Sequence, residues 1–543
     1  MQALDSDVLI VGAGPSGLTL ANLLGRRGVR TLLIDSKTGP IDDPRAVSVD
    51  DEALRVMQLA KTHQLIARHM VPNTGYSMMS PGGRRIARIA PTRAELGFPK
   101  RNNVHQPRFE ADLFECLQDC AAVKVRLGAT LAGLTQDEDG VVAFVALASG
   151  ETVRIRCRYL AACDGGRSTT RRLLDVAMPG VTAPKRWLVV DLFKPQPVLL
   201  ESLVFADAKR PRVFIPGPLG YRRWEFMVLP DEDPEHVVRI ETVRALLRKY
   251  GDDADAEIRS VRVYTFHGRC AQQWRSGRVF LLGDAAHLNP PFGGQGMING
   301  IRDAANLAWK LDYVLTGNAA DPLLDTYQTE RYPAMLGSIR VAMMLAGIMM
   351  PRSRWRGLLQ NLLIGLLYRI PATRPYIEEM KFRPRSRVSS GFIVAPDADA
   401  PGVVGTMCAQ PSGASGAPLR EHLDDYLGPG FALLVLGAEA LQLVEQLPAP
   451  WLSRADPAVV VLHLAHDPRS QSAAHCIELS VAEHAAFAAN WGHVLVIRPD
   501  RYVMAELSIA NFPAVSAQLS ALFDEFAITA AHERPASAAQ AVL

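Results

Sequence analysis

An apolar run at 8–11, a glycine turn and an amphipathic stretch open this chain, and together they leave few folds available to it. The turn reads Gly12-Ala13-Gly14-Pro15-Ser16-Gly17. Leu18, Leu20, Ala21, Leu23 and Leu24 then supply one apolar helical face. Gly28 marks the helix end, and a second strand at 31–34 closes on Asp35, eighteen residues after Gly17. Strand, GxGxxG turn, helix, strand and terminal acid form the dinucleotide-binding fingerprint. Gly12 permits the turn, Gly14 lets the backbone approach a pyrophosphate, and Gly17 lets helix and strand pack closely. The helix mouth at Pro15 and Ser16 offers free N–H groups and a positive dipole end to phosphates. Asp35, with Ser36 beside it, would accept hydrogen bonds from the adenosine ribose.

Two later segments move the expectation from NAD to FAD. In the first, an apolar strand ends in Cys163-Asp164-Gly165-Gly166-Arg167-Ser168, and Ser168 or Thr169 can cap a following helix. In the second, a strand ends in Gly283-Asp284-Ala285-Ala286-His287. It is followed by Pro290-Pro291-Phe292-Gly293-Gly294-Gln295-Gly296, then by a helical pattern through Asp303, Leu307 and Leu311. Glycines at the mouth of that helix would set backbone N–H groups against a planar ring, and Asp284 can accept from ribityl hydroxyls.

These three motifs, in this order, resemble the class A flavoprotein aromatic hydroxylases. Pro44-Arg45-Ala46, Asp50-Asp51-Glu52-Ala53-Leu54-Arg55, Arg222-Arg223-Trp224-Glu225-Phe226-Met227 and Glu379-Met380-Lys381-Phe382-Arg383-Pro384 look most like the 3-(3-hydroxyphenyl)propionate hydroxylase branch. The resemblance implies an α/β chain. Its parts would be a Rossmann-type FAD-binding domain at 1–180, a mainly β substrate domain at 181–269, and the rest of the FAD domain with a helical segment at 270–384. A Ser/Pro/Gly-rich linker at 385–417 and a thioredoxin-like α/β domain at 418–543 would follow, with the Ala-rich end from about 533 frayed. That last domain has no CxxC, so a structural role is expected for it.

The resemblance also implies a reaction. NAD(P)H reduces FAD, reduced flavin takes up O₂, and the C4a-hydroperoxyflavin gives its distal oxygen to a phenolic ring. A phenol reacts more readily as its phenolate, which calls for a base or phenolate stabiliser. Asp50 is the candidate, although Asp50 and Asp51 also suit a helix N-terminus. Arg45 matches an arginine beside flavin and nicotinamide, where it could act on flavin phosphate, reductant or mobile ring. Gln106 falls where a family glutamine contacts FAD, with His105 structural beside it. Backbone N–H groups of Met297 and Ile298 could hold negative charge on the reduced flavin. Many relatives carry Asn where Ile298 stands, and Asn299 is not assumed to replace it. His287 is expected to pack beneath the flavin loop. Trp187, Phe205, Phe214, Tyr221, Trp224, Phe226 and Phe292 are candidates for an aromatic wall. Arg186, Arg222 and Arg223 are candidates for a substrate carboxylate, with surface exposure the plainer expectation.

Composition excludes several other classes. The 543 residues are 48% hydrophobic and 21% charged, the balance of a globular protein of about three or four domains. Lys+Arg 59 against Asp+Glu 56 is too even for a nucleic-acid partner. Seven scattered cysteines without a CxxC suggest neither zinc nor disulfides, and fit a reducing cytoplasm. The start lacks a basic n-region, so no signal peptide is expected. Pro351, Arg352, Arg354 and Arg356 interrupt the most apolar region, so no membrane span is expected either. A homodimer is compatible with the family. Three rivals share the scaffold. One is a hydroxylase of polycyclic or heteroaromatic substrates, and another is a non-catalytic FAD protein. The third, a halogenase, would carry a WxWxIP segment that this sequence lacks.

Overall fold

The computed structural model describes residues 5–39, 44–195, 199–351, 353–382, 386–395, 402–410, 423–447, 451–452, 455–464, 475–479 and 481–527. The Ala-rich end expected to fray, and parts of the expected linker, lie outside the described residues.

The first strand, Ser6–Val11, sits at the centre of a parallel sheet. It pairs with Thr31–Asp35 on one side and with Thr152–Ala162 on the other. Val279–Leu281 and Val123–Leu127 extend the sheet in parallel at the two flanks. Val8, Leu9 and Ile10 are fully buried, so both faces of the strand are covered, which explains an uninterrupted apolar run in place of alternation. Helix Pro15–Arg26 packs against helix Gly296–Leu315. Three fingerprint strands therefore end side by side, with two helix mouths at their carboxyl ends, the usual ligand crevice of such sheets.

A second, eight-stranded sheet contains the long strands Gly180–Phe193 and Glu257–Cys270, which pair antiparallel toward one edge. Strands Gly75–Met79 and Arg85–Ile89 also join it, through a parallel pairing with Glu201–Phe205. These two strands come from the stretch that the sequence assigned to the FAD domain. The mainly β domain expected at 181–269 carries one longer helix. Helix Ile240–Tyr250 covers one face of the sheet, and Val243 and Leu247 bury its apolar stripe.

The C-terminal unit has a five-stranded sheet. Strand Ala432–Leu436 is parallel to Ala458–Leu464 and antiparallel to Val494–Ile497, which pairs with Val503–Leu507. Helix Phe512–Glu525 follows. This order is that of a thioredoxin-like sheet, so the chain is the α/β fold expected. The linker reading fails at 388–394 and 404–408. Phe392 is fully buried, and Val394 N–H donates to the Met504 carbonyl. Ser, Pro and Gly content suggested loop, and the segment is indeed irregular, but its apolar residues fill the seam between units.

Helix Thr326–Met349 follows the FAD domain. The run Asp321–Met349 reaches a mean hydropathy of 1.4 over eighteen residues, long and apolar enough to cross a membrane by those two measures. That departs from the expectation of no such stretch, which was drawn from the interrupted region 341–370 overlapping the end of this helix.

Candidate flavin site and substrate pocket

The glycines of the first turn divide into two kinds. Gly12 has φ +108°, and a Cβ there would lie 2.3 Å from the Cys163 carbonyl oxygen. A Cβ on Gly17 would lie 1.9 Å from the Gly12 oxygen. Both are packing glycines. A Cβ on Gly14, by contrast, meets nothing within 4 Å. Leu18 N–H makes the first helical bond, to Gly14 O, so the Ser16 and Gly17 N–H groups have no helical partner. Pro15 has no N–H to spend. The Ser16 side chain fills the slot between helices, where a Cβ on Gly283 or Gly300 would touch its hydroxyl.

The acids line the same crevice. Asp35 accepts from Ala13 N–H at 2.7 Å and Lys37 N–H at 2.8 Å, one on each oxygen, which leaves lone pairs for further donors. Ser36 is exposed next to it. Asp164 Oδ2 caps the helix at Thr170, while its Oδ1 is buried with no hydrogen-bond partner among the described residues. Burial raises the Asp284 carboxyl, and the nearby Arg45 and His287 oppose that rise. Arg171 bridges the second and third motifs by donating to the carbonyls of Gly166 and Ala285.

The second helix mouth faces the crevice too. Gly293 and Gly294 have φ of +93° and +67°, and Gly296 has open space where a Cβ would be. Asn299 N–H is the first to bond helically, to Gln295 O. Gly296, Met297 and Ile298 thus keep their N–H groups. The Ile298 side chain is buried, so only its backbone can serve a ligand. Asn299 turns inward, donating to Gln295 O and Ser338 Oγ. It does not replace the family asparagine. Pro291 is exposed at the rim of this loop.

His287 lies beneath the loop, fully buried, with Nε2 2.7 Å from Asp303. Asp303 also pairs with Arg331 at 2.9 Å, and both partners hold its carboxyl below the usual range despite burial. This is a framework contact.

Gln106 and Asp50, both expected near ligands, also make contacts within the protein framework. Gln106 Oε1 accepts from the N–H groups of Arg45 and Ala46, and its Nε2 donates to Glu110. Gln106 therefore shapes the loop that carries Arg45. Asp50 was expected as a base or phenolate stabiliser that also suits a helix N-terminus. Its Oδ1 caps helix Asp51–Leu59 at Ala53, and its Oδ2 binds Arg302 at 2.8 Å. Arg302 in turn reaches Gln295 Oε1 at 3.1 Å. A carboxylate so engaged orients the glycine loop through a guanidinium. The sequence showed the cap, but Arg302 lies 252 residues away and gave no local signal.

Sequence reasoning missed one element altogether. Arg223 is buried, with Nε 2.7 Å from Asp191. It also donates to the carbonyls of Pro44 and Arg45, and Arg262 joins it on Pro44 and Asp191. The second sheet thereby clamps the Arg45 loop. Exposure was the plain expectation for Arg223; alternation along Tyr221–Met227 turns it inward.

The same alternation divides the aromatic residues. Phe205, Phe214, Trp224 and Phe226 pack under helix Ile240–Tyr250, away from the flavin crevice. Trp187 and Phe292, with Phe266, form the other cluster, at ring separations of 5.6–6.1 Å. Ala342 and Ala346 of the long helix close this cage. Trp187 Nε1 is buried there without an acceptor among the described residues. Tyr221 stacks on His105 at 3.6 Å beside a small cleft that Arg222 and Arg223 also line.

A parallel sheet with two open helix mouths, three strand-end acids and an orphaned carboxylate oxygen suits FAD, and it defines a flavin-binding protein. Comparison with known proteins agrees. Residues 5–340 match the FAD binding domain family, and residues 405–522 match the HcaD C-terminal domain. A 3-(3-hydroxy-phenyl)propionate/3-hydroxycinnamic acid hydroxylase of Burkholderia cenocepacia is 35% identical, over 95% of this chain and 96% of its own. The hydroxylase of that name from Mycobacterium avium is 37% identical, over 99% and 95%. Among solved structures, the flavin-dependent monooxygenase PieE superposes with a TM-score of 0.74 at 23% identity, covering 96% of this chain and 100% of PieE. Aklavinone-11 hydroxylase gives 0.74 at 22%, covering 96% and 99%. This chain belongs to the FAD binding domain family and is an FAD-dependent aromatic hydroxylase.

Proposed function

We propose that the substrate is a phenolic acid of the 3-(3-hydroxyphenyl)propionate or 3-hydroxycinnamate type. The reaction consumes one O₂ and one NAD(P)H, placing one oxygen atom on the ring and releasing the other as water. The observation that carries this reading is near full-length kinship to hydroxylases of that name, at 35–38% identity. Bound FAD supplies the oxygen-activating chemistry. The protein's own groups bind and orient. The mouth of Pro15–Arg26 takes the pyrophosphate, Asp35 the adenosine ribose, and Asp164 and Asp284 the remaining hydroxyls. Met297 and Ile298 N–H groups stabilise negative charge on the reduced ring. Arg45, exposed on its clamped loop, meets the flavin or the nicotinamide. Asp50 acts through Arg302 as a positioning residue. Trp187, Phe266 and Phe292 hold the aromatic ring, and Trp187 N–H donates to a substrate oxygen. Reduced nicotinamide supply places the reaction in the cytoplasm.

The test is NADH and NADPH oxidation by the FAD-loaded protein in air, across phenolic acids, with peroxide and product counted together. Stimulation by 3-(3-hydroxyphenyl)propionate with matching hydroxylated product is expected. Peroxide alone, or stimulation only by polycyclic phenols, would overturn the substrate assignment.

A further inference from the structure

Helix Arg354–Arg369 is inside out. Its small and polar residues face the protein. A Cβ on Gly357 would touch Pro351, Gln360 Nε2 donates to the Ile348 carbonyl, and Tyr368 donates to Glu378 at 2.7 Å. Its apolar residues face out. Trp355 is 78% exposed, Leu362 70% and Leu359 66%, while Leu358, Leu363 and Leu366 are each over half exposed. Met343 and Met344 of the preceding helix continue the surface. The patch amounts to roughly 800 Å² of apolar side chain, above the few hundred Å² that a lone monomer leaves contiguous.

Charge selects what covers it. Residues 332–376 contain six arginines and no Asp, Glu or Lys, in a chain of net charge +3. Arg356 and Arg369 are exposed near the two ends of the leucine face. Arg374 is taken up by Glu378 at 2.9 Å, but pairing the leucine face with a second copy would set the exposed Arg356 and Arg369 against their like. An anionic lipid surface satisfies both features, because leucines and Trp355 enter the acyl boundary while arginines stay among the headgroups.

We propose that this face docks the enzyme onto an anionic lipid surface. The docking is peripheral. The test is co-sedimentation of the FAD-loaded protein with phosphatidylcholine vesicles, with and without a quarter of phosphatidylglycerol. Binding should be about tenfold stronger with phosphatidylglycerol and should weaken with salt. Leu359→Gln/Leu362→Gln/Leu366→Gln should lower it about tenfold or more, with flavin content and steady-state hydroxylation unchanged. Arg356→Ala/Arg369→Ala should remove the phosphatidylglycerol preference and spare the weaker binding to phosphatidylcholine. No partition to either vesicle, or undiminished binding of the triple variant, would overturn the proposal. So would a dimer in analytical ultracentrifugation that the triple variant dissolves, which would make the occupant a second copy.

Discussion

Gly14 and Gly17 stand three residues apart, and alanine should affect them in opposite ways. At Gly17 the new Cβ would sit 1.9 Å from Gly12 O and 3.2 Å from Cys163 Cβ. The first neighbour is backbone, fixed by Gly12 N–H bonding to the Ile34 carbonyl, so it cannot swing aside. Overpacking of this kind costs about 3 kcal/mol, at the upper end of its usual range. For a domain of this size that lowers the melting temperature by about 5–8 °C. At Gly14 the new Cβ meets no protein atom, and φ of −81° suits any residue. Apo stability should change by less than about 0.5 kcal/mol. The methyl would instead stand at the helix mouth assigned to the pyrophosphate and weaken FAD binding about 10–100-fold. The assays are thermal melts of both apo variants and titration of each with FAD by flavin fluorescence. Both are needed, because bound FAD itself raises the melting temperature. If Gly14→Ala binds FAD like the parent, the mouth of Pro15–Arg26 is not the phosphate site. If Gly17→Ala melts like the parent, the packing argument fails.

Three other outcomes are expected. Asp50→Asn keeps the helix cap while losing the charge that faces Arg302, so it should remain about 1 kcal/mol more stable than Asp50→Ala and keep the larger share of coupled hydroxylation; equal loss of hydroxylation in both, with stability intact, would restore Asp50 as the base. Glu330 lies 3.0 Å from Lys310 and 2.8 Å from Arg498, which hold its carboxyl at about 2, below the ordinary 4.5. Its folded value is depressed, so its contribution is complete above pH 4.5 and is lost as pH falls toward 2, on the order of 3 kcal/mol in all; urea melts between pH 5 and 3 should show this slope, and Glu330→Gln should flatten it. Trp224→Ala should cost about 3–5 kcal/mol of stability in denaturant melts and leave substrate KM unchanged, because its ring packs under helix Ile240–Tyr250, whereas Phe292→Ala should raise KM.

Local pattern made the flavin half of this protein legible from its residues. A strand, a glycine turn and a helix are set by neighbours in sequence, so Gly12 to Gly17, Gly283-Asp284 and the mouth at Gly296 could be read as a cradle before any contact was known. The resemblance also implied a mainly β second domain. Local pattern could not say which face meets the flavin crevice, because burial on both faces makes both look apolar. Only the packed sheet placed Trp187 beside Phe292 and sent Trp224 under a helix. The same limit applies to charge. An arginine looks exposed until a partner is found, and the partners here are remote: Asp50 for Arg302 across 252 residues, and Asp424 for Arg55 across 369. Burying a guanidinium is costly without such a pair. The sequence by itself thus determined the cofactor class and the strand ends that hold it. Tertiary structure decided which acids are spent on arginines, which aromatics face the substrate, and that a leucine face is left looking outward.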